Sequence, residues 1–202
     1  MLKQILQIIF PGAEEKNPGT LTAYLEQVQL NLGFAYCGVL CYDDYARKLV
    51  AAVKYTKNRE LIPIIQKAFL QYAPAKQADF LIPVPLNPLR LRDRGFNQSE
   101  EFAKTYAAFY GIPLCGDLVY RAVNTQKLAA LSPAAREKET ADIFQVWENK
   151  QKLLENKRIL IVDDIITTGH TVRNLANALA RYNPASIEIL GVFRPKTSAP
   201  AA

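Results

Sequence analysis

Residues 159–171 read ILIVDDIITTGHT. Four aliphatic residues run into Asp163 and Asp164, and the turn Thr167, Thr168, Gly169, His170, Thr171 follows at once. Two adjacent carboxylates at the end of a buried strand are costly, and nothing about folding asks for them. The pair either caps a helix or faces hydroxyls, phosphates or a metal. A Thr-Thr-Gly turn before a helix offers hydroxyls and amide N–H groups without intrahelical partners, which is the chemistry of a phosphate cradle. Carboxylates one strand-end away can accept hydrogen bonds from two sugar hydroxyls. Together these residues suit a ribose 5-phosphate, with the phosphate on the turn and the diol on the acids. The spacing leaves room for Mg²⁺ held by the ligand's own phosphates. His170 is the single histidine of the chain, and its backbone amide belongs to the cradle.

The elements that must hold these residues follow from periodicity and punctuation. RILIVDD is continuously apolar, as a parallel strand buried on both faces is, and HTVRNLANALARY is the helix after it. SIEILGVF is a further strand beyond the turn at Asn183-Pro184. Upstream, DFLIPVPL suits a buried strand ending in a loop, NPLRLRDRGFNQ reads as a basic loop, and SEEFAKTYAAFYG reads as a helix. That helix has Ser99 as its cap, Gly111 as its close, and Phe102, Tyr106 and Phe109 on one face. LVYRA and DIFQVW are strand-like flanks of a long polar excursion, which reads as a lid. DDYARKLVAAVKY sets Tyr45, Leu49, Ala52 and Val53 together on a helix, and ELIPIIQKAFLQYA is another helix. Residues 1–41 read as a helical preface to a domain spanning 42–202. Strand, loop, helix, strand repeats from residue 79 onward, so the fold class is α/β with a mainly parallel sheet flanked by helices.

The chain has 202 residues, half of them hydrophobic, enough for one packed α/β domain. Lys and Arg outnumber Asp and Glu by 25 to 19, a net charge of +6 that suits phosphorylated metabolites or nucleic acid. Cys37, Cys41 and Cys115 make an odd count without a disulfide pattern, as a reducing compartment would have. The apolar start lacks a signal-peptide cleavage pattern and no run is long enough for a membrane span, so a cytoplasmic location is expected. ILIVDD also opens phospho-accepting receiver domains, but only about 40 residues follow Asp163, too few for the strands such a domain still needs.

At residues 159–171 the chain resembles the type I phosphoribosyltransferases, and more narrowly the ComF family associated with competence. IPVPLNPLRLRDRGFNQSEEFA, YRAVNTQKLAALSPAAREKETADIF and YDDYARKLVAAVKY carry the rest of the resemblance, which spans about residues 42 to 195. It implies a type I phosphoribosyltransferase fold with a small helical N-terminal region and a flexible hood over residues 121–140. Asp163 and Asp164 would face the ribose hydroxyls of phosphoribosyl pyrophosphate, and Thr167 to Thr171 would hold its 5-phosphate. Arg90, Arg94, Gly95 and Asn97 would lie on the pyrophosphate side, while Arg121, Gln126 and Arg136 would close over the substrate. The implied cofactor is Mg²⁺ bound to substrate, and the implied reaction is transfer of phosphoribose to a nitrogen nucleophile, with Asp164 as the family's candidate base. Many members carry an N-terminal zinc ribbon. Here only Cys37 and Cys41 could be a remnant, so no structural zinc is expected. The resemblance also implies a link to DNA uptake. The alternative reading is a competence protein that uses this fold to bind nucleic acid, single-stranded DNA included, without turnover.

Overall fold

Burial along RILIVDDI alternates between two cores. Leu160 and Val162 pack into one cluster, Ile159 and Ile161 into another, and all four are at most 2% exposed. A strand with both faces covered has no polar side to show, which is why its sequence is an unbroken apolar run. The computed structural model of the chain describes residues 33–55, 58–122 and 143–195. This strand, β5 (Arg158–Ile165), lies inside a parallel four-stranded sheet. The order is β1 (Ala35–Tyr42), β6 (Ser186–Pro195), β5, β2 (Phe80–Pro83).

One face of the sheet is covered by α1 (Asp44–Tyr55), α2 (Leu61–Tyr72) and α4 (Gln98–Tyr110), whose buried residues share the cluster of Leu160 and Val162. The other face receives α5 (His170–Ala180) and the antiparallel pair β3 (Val119–Arg121) and β4 (Phe144–Val146). The short α3 (Pro88–Arg94) buries none of its residues. A 3₁₀ turn over Glu148–Leu154 leads from β4 back to β5. The carboxyl ends of β2 and β5 therefore meet the amino ends of α4 and α5 at one edge of the sheet, the place where open parallel sheets bind ligands.

Several expectations change at this level. Residues 35–41 do not belong to a helical preface: they form most of β1, which pairs with β6 in parallel, Ala35 opposite Glu188 through Tyr42 opposite Pro195. AYCGVLCY carries two tyrosines and a valine, types that fit a pleated surface, and β6 supplies the ladder. The basic loop is instead a helix, α3, capped by Asn87, with Pro88 in its first turn and Gly95 at its close. On α1 Val53 is buried as expected, with Ala46 and Val50 beside it, while Leu49 and Ala52 are half-buried. Phe109 is 63% exposed, while Phe102 and Tyr106 are buried as expected, because the buried side of α4 runs through Phe102, Ala103, Tyr106 and Ala107 and Phe109 falls at its edge. Most of the expected helical preface, and residues 123–140 of the expected hood, lie outside the described residues. Among the described residues, no helix is long and apolar enough to cross a membrane.

Candidate active site at the carboxyl edge of the sheet

The paired acids are held apart by different partners. Asp163 is only 7% exposed, and its Oδ1 accepts from the Ser99 hydroxyl at 2.8 Å and from the Asp164 amide at 3.0 Å. Asp164 sends Oδ1 to the Ile165 amide at 2.9 Å and Oδ2 to Lys54 Nζ at 2.5 Å. Both ends of that ion pair are largely shielded, with 19% and 15% of their side chains exposed. Burial, and then the neighbouring Asp164 charge, push the Asp163 carboxyl up to about 7 against the pull of Ser99 and Lys54. Lys54 comes from α1, Ser99 from α4 and the acids from β5, so three elements build what the sequence shows as a dipeptide.

The turn after the acids is seated by the sheet itself. Gly191 on β6 stands opposite Asp163, and a Cβ there would lie 2.9 Å from Ile166 Cδ1. A side chain at 191 would push Ile166 out, and with it the turn whose Ile166 amide donates to the Phe193 carbonyl at 3.1 Å. Gly169 takes φ 75° and ψ 3° as the N-cap of α5, a left-handed conformation that costs other residues about 1–2 kcal/mol. A glycine cap has no side chain to occupy the first amides of α5, so they keep their orphan donors for an anion. Thr167, Thr168, His170 and Thr171 are exposed around this turn. A hollow of about 40 Å³ runs from Asp163 along it.

On the other side lies the segment joining β2 to α4. Asn87 accepts from the Leu89 amide at 2.9 Å to start α3, and Gly95, at φ 84°, ends it with its amide on the Leu91 carbonyl. Asn97 spends both ends of its side chain on the fold: Oδ1 accepts from the Ser99 amide at 3.2 Å, and Nδ2 donates to the Val84 carbonyl at 2.9 Å. It is the cap of α4, where Ser99 was expected, and Ser99 is thereby released to hold Asp163. Gly95 has no side chain to offer an anion, and the Asn97 side chain places its neighbours through both of these bonds.

Two guanidiniums, Arg94 and Arg121, feel the acids, and a third, Arg90, acts on both of them. Arg94 is half-buried and Nη1 donates to Gln98 Oε1. Burial lowers its affinity for a proton, Asp164 raises it and Arg90 lowers it again. Arg121 lies 5.6 Å from the Phe144 ring centroid, and burial followed by Arg90 lowers it while Asp163 raises it. Arg90 itself is exposed. Counting Lys54, three cations act on the two carboxylates, and Arg90 disfavours the charge on both guanidiniums. A protein site left with surplus, mutually repelling cations is complementary to a polyanion. Gln126 and Arg136 lie outside the described residues. Lys54 was not among the residues expected here. Lys54 looked like an ordinary basic residue in the last turn of a helix, with only its place in the resembling stretch YDDYARKLVAAVKY to mark it.

Comparison with known proteins agrees with this geometry. A family model described as "Phosphoribosyl transferase domain" matches residues 98–201, just over half of the chain. Competence protein F of Haemophilus influenzae is 29% identical over 119 residues, covering 59% of this chain and 52% of that protein. DNA utilization protein YhgH of Salmonella typhi is 28% identical over 148 residues, 70% of this chain and 63% of its own. Competence protein ComFC of Bacillus subtilis is 24% identical over 153 residues, 73% and 59%. The match thus spans between half and two thirds of each of these relatives. A solved structure titled as the allosteric regulatory enzyme of purine biosynthesis overlays 63% of this chain and 24% of its own, with 24% identity and a TM-score of 0.45. With its parallel sheet, its acid pair before a glycine-capped helix and these relatives, the chain belongs to the phosphoribosyl transferase domain family and, within it, to the ComF family.

Proposed function

We propose that this site binds phosphoribosyl pyrophosphate, with the 5-phosphate on the Thr167–Thr171 turn, the ribose diol on Asp163 and Asp164, and the pyrophosphate toward Arg90, Arg94 and Arg121. The observation that carries the reading is the position of the two carboxylates between uncapped helix amides on one side and convergent guanidiniums on the other. A ligand with an anion at each end and hydroxyls in the middle matches that order of charges. The described residues contain no group of three or more metal-ligating side chains. Asp163 and Asp164 are the acids that could meet a divalent ion, which would therefore arrive on the substrate's phosphates. When bound, Mg²⁺ supplies charge to neutralise the pyrophosphate.

In turnover, a nitrogen nucleophile would form a bond to the anomeric carbon as the bond to the pyrophosphate oxygen breaks, the electron pair leaving with pyrophosphate. The chain's own contribution is positioning and charge: acids that fix the ribose, a cradle that anchors its 5-phosphate, and guanidiniums on the leaving group. A second reading, nucleic-acid binding without turnover, is favoured by the relatives named for competence and DNA utilization and by the exposed Arg90 and Arg92 on α3.

Calorimetry with phosphoribosyl pyrophosphate and Mg²⁺ tests the first against the second. Wild type should bind, and the Asp163→Asn/Asp164→Asn double variant should bind at least about 100-fold more weakly, since hydrogen bonds to charged groups contribute about 1.5–3 kcal/mol each. Wild type that ignores this ligand but binds single-stranded DNA in a salt-sensitive way would sink the phosphoribosyl reading.

A further inference from the structure

Lys54 stands in the last turn of α1, a helix whose Val50 and Val53 are buried in the core beneath the sheet. Its ammonium is therefore carried on a packed element. Nζ meets Asp164 Oδ2 at 2.5 Å, and most of both side chains is shielded from water. Salt screens such a pair little. The other oxygen of Asp164 accepts from the Ile165 amide, so both of its oxygens are engaged. Asp163 is placed differently. Ser99 holds its Oδ1, and the residue lines the hollow that runs along the Thr167–Thr171 turn. The pair thus divides: one acid faces the hollow, and its neighbour faces an ammonium.

A divalent ion on Asp164 would have to share the carboxylate with that ammonium. Mg²⁺ sits about 2.1 Å from its oxygen ligands, so the two cations would stand within about 5 Å of each other where little water separates them. Arg94 feels the same carboxylate, which raises its proton affinity. The ligand side gives the pairing its purpose. A ribose 5-phosphate brings a dianion close to two adjacent carboxylates, which repel it unless a cation offsets them.

We propose that Lys54 is a positioning residue that serves the acid pair as its resident cation, so that the ribose-phosphate half of the site binds its ligand without a divalent ion. Mg²⁺ is then needed for the pyrophosphate alone. This rests on the phosphoribosyl reading of the site and adds a residue to it. Lys54 acts through Asp164: it fixes that carboxylate and offsets its charge, and Asp163 is left to meet the ligand from the hollow.

Ribose 5-phosphate and phosphoribosyl pyrophosphate are titrated by calorimetry into wild type, Lys54→Met and Lys54→Arg, each in EDTA and in Mg²⁺, with thermal melts of each protein. Wild type should bind ribose 5-phosphate within about twofold alike in the two buffers, while phosphoribosyl pyrophosphate gains roughly 10-fold or more from Mg²⁺. Lys54→Met keeps an unbranched stem and removes the charge. In EDTA it should lose roughly 10-fold or more in ribose 5-phosphate affinity, and Mg²⁺ should restore most of the loss because Asp164 can then take the ion. Lys54→Arg keeps a cation and should show no Mg²⁺ requirement for ribose 5-phosphate. Wild type that binds ribose 5-phosphate only with Mg²⁺ overturns the role. So does Lys54→Met that binds like wild type in EDTA, or that suffers a loss Mg²⁺ leaves in place, which would make Lys54 a support of the fold alone. Each of these leaves the phosphoribosyl reading intact, and the wild-type titrations decide even if Lys54→Met does not fold. Wild type that binds neither ligand in either buffer overturns the site reading and this role with it.

Discussion

The two ends of the site are built by opposite means. At the turn before α5 the donors are backbone amides of one continuous segment, fixed by the left-handed Gly169 and by Ile166 packed over Gly191. At the other end the donors are long side chains from separate elements, Arg90 and Arg94 from α3 and Arg121 from β3. Backbone donors are ordered as soon as the helix forms and carry only partial charge. Side-chain cations carry whole charges, and Arg90 disfavours the charge on both Arg94 and Arg121. The first end is preorganised at small cost, while the second gathers like charges. Between them, the acid pair is neutralised in part by Lys54 and in part by its own raised proton affinity.

If the ends are built independently, each can be broken without the other. The largest effect is expected from Arg94→Gln. It removes a half-buried charge and should cost about 2–3 kcal/mol in Mg²⁺-pyrophosphate affinity, roughly 30- to 150-fold, with ribose 5-phosphate affinity unchanged. Arg94→Lys sharpens the test: if the planar fork matters as well as the charge, it recovers only part of the loss. Equal losses for both ligands would show that the two ends act as one unit.

Gly169→Ala is the mirror experiment. Forcing a Cβ into the left-handed cap should lower unfolding stability by about 1–2 kcal/mol and weaken ribose 5-phosphate, while pyrophosphate binding is retained. Gly95→Ala carries the same backbone cost at φ 84°, and an added Cβ there meets nothing within 4 Å. It should therefore lower stability alike but leave ribose 5-phosphate affinity alone. Urea unfolding and calorimetry on the two variants separate the cradle from mere backbone strain.

The smallest effect is a slope. A carboxyl raised from an unfolded value of about 3.9 to about 7 in the fold holds its proton longer when native. Below both values the group costs nothing. Between them the unfolded chain binds fewer protons, so this contribution to stability falls as pH rises, and it is fully lost above about 7. Urea melts at about pH 5 and about pH 8 should show wild type losing stability across that window, by less than the one-proton ceiling of about 1.4 kcal/mol per pH unit. Asp163→Asn should flatten it, because the asparagine oxygen can still accept from Ser99 without titrating. An unchanged slope in that variant would place the raised carboxyl elsewhere.

What could be read in advance follows the same division. The apolar run of β5, the acids at its end and the glycine-capped helix lie within 22 contiguous residues, and local geometry decides all of them. The segment 84–98 was harder to read. Its arginines and its RGFNQ were visible, but PLRLRDR looked like a loop because nothing in it is apolar at helical spacing, and α3 indeed buries nothing. Asn97 and Ser99 are both competent caps, and only the Val84 carbonyl and the Asp163 carboxylate, contributed by β2 and β5, assign their roles.

By itself, then, the sequence determined the parallel sheet, the acid pair and the glycine-capped turn after it, because burial patterns and cap chemistry act over a few residues. Only the tertiary structure decided that residues 35–41 are a strand, since an edge strand needs a partner and β6 lies some 150 residues away. The tertiary structure also decided that Lys54 neutralises Asp164, across more than 100 residues of chain. Charge compensation and desolvation depend on what is near in space, and no local pattern records that distance.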